Sequence, residues 1–202
     1  MTSSTPIPAQ QEQGRDGAAA PPRWWWGFAI ACVVGGLLLS VLRVIHFGDL
    51  DDAYITFAYA RNIAEGRGFI YSADYATWGT TTPLFTLLLA AAGWLGASIP
   101  HAARALDLVA LCIQMGATAW MIRLAGAPRW APLGALLVPV PVGYLTSFPD
   151  MEYGLYAACG VLALVAAAGD RWRVAAAAAA TAALLRPDGA LVWSLTGIAW
   201  LV

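Results

Sequence analysis

LFTLLLAAAGWLGA, residues 84–97, decides the architecture of this chain. The stretch is almost pure hydrocarbon, yet it holds 14 residues, where a helix needs about 20 to cross a bilayer. Longer apolar runs flank it: Phe28–Ile45 before it, then Ala102–Leu124, Ala131–Phe148, Gly154–Ala168, Val174–Leu185 and Gly189 onward. If 84–97 does not cross and the amino terminus is cytoplasmic, Arg123, Arg129, Arg171 and Arg173 all fall in cytoplasmic turns, as the positive-inside rule requires. If it crosses, all four lie outside. The sequence therefore predicts about six spans, with 84–97 as a re-entrant or interfacial helix on the outer side.

Composition agrees with that reading. Of the 202 residues, 60% are hydrophobic and only 11% charged, with a mean hydropathy of +0.65. A soluble domain carries about 25% charged residues, so this chain predicts an integral membrane protein of all-α class, a polytopic helix bundle. Eleven Arg and no Lys stand against twelve acids, and a net charge of -1 supplies no basic field for nucleic acid. Cys32, Cys112 and Cys159 each sit in apolar runs and read as small hydrophobes rather than a disulfide framework. Residues 1–22, rich in Pro, Gln, Ser and Ala, are expected to form a disordered cytoplasmic tail, and 23–202 the membrane domain. Arg23 and Trp24, Trp25 and Trp26 suit a membrane entry point for a first span at Phe28–Ile45. The long tail and the lack of a small-residue cleavage site after Val44 argue against a signal peptide.

The same parity brings three polar segments to one face. The outer loop 46–101, whose polar part is 46–82, the SFPDMEYG turn at 147–154 and the RPDG turn at 186–189 all emerge outside. Within the loop, DDAYITFAYARNIAEG reads as a short helix that an Asp can cap and Gly66 can close; extended and turn structure follows Gly68. Asp51 and Asp52 have two readings: one caps while the other is solvated, or one serves as a general base facing a membrane-embedded pocket. Neighbours at i and i+1 do not share a helix face, so they are not interchangeable.

Arg186 precedes Pro187, which disfavours a helical conformation at Arg186 itself. Its guanidinium either grips a phosphate through two oxygens or snorkels and pairs with Asp188 or lipid phosphates. Asp150 and Glu152 either cap the following span or add acceptors to the outer site. Tyr54, Phe57, Tyr59, Trp78 and Phe85 read as interfacial anchors more readily than as platforms for sugar rings. His46 and His101 give no zinc spacing, and no P-loop, GxGxxG, GxSxG or HExxH occurs.

DDAYITFAYARNIAEGRGFIYS at 51–72, followed by WGTTTPLFTLLLAAAGWLG at 78–96, resembles the amino-terminal signature of the C-type (GT-C) membrane glycosyltransferases, closest to the branch with mycobacterial arabinofuranosyltransferases. SFPDMEYGLYA at 147–157 is similar to that family's S-G-M-E-T-x-L-F segment, and LLRPDGALV at 184–192 to its T-R-P-E-G segment. The resemblance covers about residues 45–192. Ala58, Pro149–Asp150 and Tyr153 depart from the usual Arg, Gly and Thr, which bears on substrate identity.

The resemblance implies a polyprenyl-phosphate sugar as donor and a glycan, lipid or protein of the cell envelope as acceptor. It implies transfer at the outer face of the plasma membrane, with Asp51 as the catalytic base and Asp52 beside it. Arg186 is the candidate for the donor phosphate, and Tyr54, Arg61, Thr82, Glu152 and Asp188 for substrate contacts. A divalent cation, Mg or Mn, on Asp51 or Asp52 is the one cofactor envisaged. Two other classes compete: a transporter or lipid-binding protein whose outer acids bind cations, and a non-catalytic subunit that keeps the fold. A transporter should show two related halves, and no internal repeat is evident. Because members of this family continue with further spans, the 202 residues are expected to be the front portion of a longer enzyme or a truncated, inactive fragment of one.

Overall fold

A computed structural model describes residues 26, 27, 30, 31, 34, 51–72, 79–128, 130–137 and 150–201. Among these, every regular element is helical: α1 (Asp51–Ala64), α2 (Pro83–Trp94), α3 (Ile99–Leu124), a 3-10 turn (Ala131–Leu137), α4 (Tyr153–Ala168), α5 (Trp172–Leu185) and α6 (Gly189–Leu201). The all-α class holds. Of the expected first span only Ile30, Ala31 and Val34 are described, all helical. The rest of that span, the 1–22 tail, Trp78 and residues 138–149 lie outside the described residues, as does the side chain of Asp51.

Local chemistry sets the helix ends. Gly66, at φ 76°, closes α1: the Gly66 N–H donates to Ile63 O and the Arg67 N–H to Asn62 O, the paired bonds of a Schellman end. Pro83 and Pro100 occupy the first turns of α2 and α3, where a missing N–H costs nothing. The Ala-rich α5 combines the best helix former with a minimal side chain. Ala175, Ala178, Ala179 and Ala182 form its buried stripe, on which α4 and α6 pack. Gly189 makes the last turn possible, because a Cβ there would lie 2.2 Å from Ala182 O.

α3 and α4 run parallel. At one end Asp107 of α3 accepts the Asp150 N–H just ahead of α4; at the other, a side chain added at Gly169 would strike Trp120 and Leu124. α5 then returns antiparallel to α4, and α6 reverses again. α1 pairs with α2, and both cover the first half of α3. The main core gathers Ala53, Phe57, Phe85, Leu89, Ile99, Ala103, Leu155, Cys159, Ala182 and Leu185, so the starts of α1, α3 and α4 meet the end of α5. Arg123, Arg171 and Arg173 lie at the opposite end.

Among the described residues one helix, α3, is long and apolar enough to cross a membrane; α2, α4, α5 and α6 are apolar but have 12, 16, 14 and 13 residues. The helix at 84–97 is observed as Pro83–Trp94, and the run from Ala131 opens as a 3-10 turn. The aromatic reading needs correction at three positions. Phe57, Tyr59 and Phe85 are buried, because α1 and α2 pack on each other and need large side chains between them. Tyr54 alone of the described four is exposed, edge-on to Phe57.

Candidate functional site

Arg186 organises the ionic end of the bundle. Pro187 holds it out of the helix, at φ -149° and ψ 146°, so its side chain turns from the α5 terminus toward the start of α4. There its Nη1 donates to Glu152 Oε1 at 2.7 Å, and its Nε donates to Asp188 Oδ2 at 3.2 Å. The Tyr153 ring covers one face of the guanidinium, 4.4 Å from centroid to Cζ, with Tyr156 beyond it at 5.9 Å.

The two acids serve it differently. Glu152 is 3% exposed and Asp188 52%, so one partner is enclosed and the other stands in the open. Glu152 is not the helix cap that its position suggests: it has αR backbone angles and makes no side-chain capping bond, because its carboxylate is committed to Arg186.

Behind this pair lies a second layer that sequence reasoning missed. Asp150 sits at φ 72°, a conformation uncommon for a residue with a side chain, and is held from two directions. Its N–H donates to Asp107 Oδ2 at 3.1 Å, and its Oδ1 accepts from Arg104 Nε at 3.3 Å. Gln114 Nε2 donates to Gly154 O at 3.1 Å, two turns further along α3. Asp150 is thus a brace for the turn that presents Glu152, not a cap. The available signal was Arg104 and Asp107 at i and i+3, which places both on one face near the start of an apolar-rich helix.

The third wall comes from the outer loop. A groove of about 360 Å³ is lined by Gly79, Thr80, Thr81 and Pro83 on one side and Ala183 and Pro187 on the other. The loop is fixed from α1: Tyr59 Oη accepts the Gly79 N–H at 2.9 Å, and Asn62 Nδ2 donates to Ile70 O and Tyr71 O. Thr82 is buried; its hydroxyl meets that of Thr80 at 3.1 Å, and its carbonyl accepts from Thr86 Oγ1.

Asp51 and Asp52 start α1 at this same end, with Ala53 and Phe57 in the shared core and Asp52 exposed. Arg61 stands apart. It is on the last turn of α1 and borders a different groove with Glu65, Gly93 and Ser98. Among the described residues no three His, Cys, Asp or Glu side chains cluster closely enough to hold a metal ion.

No family model, no curated protein and no solved structure matches the chain.

Proposed function

We propose that the chain is part of a polytopic GT-C-like glycosyltransferase of the plasma membrane, with a cytoplasmic amino terminus, about six spans and its site on the outer face. One observation carries the reading most directly. The RPDG and PDMEYG turns, distant in sequence and both similar to segments of that family, are joined by the Arg186–Glu152 ion pair beside a groove walled by the TTTP segment. A cation at the mouth of an apolar helix bundle suits a lipid-linked phosphate, whose chain lies in the bilayer and whose head needs a charge partner.

The chemistry is a single displacement. The acceptor hydroxyl gives its proton to the Asp51 carboxylate as its oxygen attacks the anomeric carbon. The bond from that carbon to the phosphate oxygen breaks, the electron pair leaves with polyprenyl phosphate, and the configuration inverts. Arg186 opposes the charge that grows on the leaving oxygen. A divalent ion on Asp51 or Asp52 would add a second charge there.

The test incubates membranes holding the full-length protein with radiolabelled polyprenyl-phosphate sugars. Label should pass to an envelope acceptor, and Asp51→Asn should reduce transfer by at least 100-fold, the scale of a lost general base, while leaving the amount of folded protein unchanged. Near-normal turnover in that variant would sink the assignment of Asp51. Absence of transfer from every such donor would favour a transporter or lipid-binding role.

A further inference from the structure

We propose that Asp188 occupies the phosphate position on Arg186 in the resting protein, is displaced when a lipid-linked phosphate binds, and returns to help expel it. The inference rests on the donor-site reading above and gives that site a built-in competitor.

The partners of Arg186 are unequal. Glu152 is enclosed and bonded at 2.7 Å, and the Tyr153 ring closes one face, so neither can leave without opening the packing between α4 and α5. Asp188 is half-exposed, bonded at 3.2 Å from only two residues away, and free to swing into water without disturbing any helix. It takes Nε, and Nε together with a terminal nitrogen forms the edge through which a guanidinium grips two phosphate oxygens.

Charge points the same way. One guanidinium and two carboxylates sum to -1, a site that repels an anion until one carboxylate departs. Asp188 also immediately precedes α6, whose first N–H groups favour a carboxylate or a phosphate alike. The donor is a phosphodiester with one negative charge, and the product a monoester that approaches two. The product is therefore the species most in need of a competitor, and Asp188 is placed to supply it.

The alternative role has the opposite sign. If Asp188 merely holds Arg186 in a binding-competent pose, removing its charge weakens binding; if it competes, removing its charge tightens binding. The experiment titrates the full-length chain, in nanodiscs of zwitterionic lipid, with a radiolabelled polyprenyl monophosphate and separately with the uncharged polyprenol. Asp188→Asn and Asp188→Ala should each bind the monophosphate about two- to five-fold more tightly, the range set by loss of an exposed ion pair, with polyprenol binding unchanged.

Arg186→Lys keeps a charge for Glu152 but lacks the fork. It should weaken monophosphate binding and erase the gain from Asp188→Asn. Unchanged or weaker binding in both Asp188 variants, with Arg186→Lys still defective, overturns the competitor and leaves the donor site standing. Monophosphate binding indifferent to Arg186→Lys overturns both. A gain that extends equally to polyprenol marks general loosening and also overturns the competitor.

Discussion

Replacing Glu152 with Ala probes whether the ionic end is held by the pair on which the functional reading depends. Removing one member of a fully buried ion pair costs about 3–5 kcal/mol, because the other charge is left without compensation. Arg186 is 21% exposed and keeps Asp188 at 3.2 Å, so the loss here is smaller, about 2–3 kcal/mol. For a chain of this size that corresponds to a fall in Tm of roughly 5–10 °C. Glu152→Gln retains an oxygen that can accept from Nη1 and loses only the charge assistance, so its cost is about 1 kcal/mol. Thermal unfolding in detergent micelles reads both values. A cycle with Arg186→Ala isolates the pair itself, with an expected coupling above about 1 kcal/mol. Glu152→Ala melting within 1 °C of the parent, or a coupling near zero, would refute the view that this pair ties α4 to α5.

Two further substitutions test how the walls of the site are set. Gly189→Ala forces a Cβ to within 2.2 Å of Ala182 O, all of it backbone contact, so the α5–α6 turn must open. We expect a loss of about 3 kcal/mol and poor recovery of folded protein; an unchanged Tm would contradict the close approach. Tyr59→Phe removes the acceptor of the Gly79 N–H, which sits where water can reach it, so stability falls by only about 0.5–1 kcal/mol. Hydrogen exchange at Gly79 should accelerate in that variant, and an unaltered rate would show that Tyr59 does not anchor the loop.

Much of this arrangement was legible because local chemistry left few choices. Gly66 and Pro83 bound their helices where turn chemistry says they must, and Pro187 puts Arg186 in extended backbone. What escaped was long-range pairing. Asp150 and Arg104 are 46 residues apart, and Glu152 and Arg186 are 34 apart, distances at which no periodicity speaks. Capping and a place in the outer site therefore both stay open for these two acids, since a helix start explains an acid locally and a partner on another helix cannot be inferred locally. Phe57, Tyr59 and Phe85 failed for a related reason: a membrane interface and a helix–helix interface both select aromatics, and only packing distinguishes them.

Helix lengths place the ionic layer in depth. α3, with 26 residues, is about 39 Å long, and Asp107 lies about 12 Å from its start, eight residues on. α4 begins near that level, through the Asp150–Asp107 bond, and its 16 residues descend about 24 Å to Gly169, beside Trp120 and Leu124. The sum, about 36 Å, closes against the length of α3, so the short helices share its lower end and stop below its upper end. Leu124 and Asp150 consequently sit at opposite ends of α4. α5 rises about 21 Å from the arginine end to Arg186, against a hydrocarbon core of about 30 Å. A lone cation at this end of an apolar bundle would be costly, and Glu152 is enclosed with Arg186, which ties the start of α4 to the end of α5.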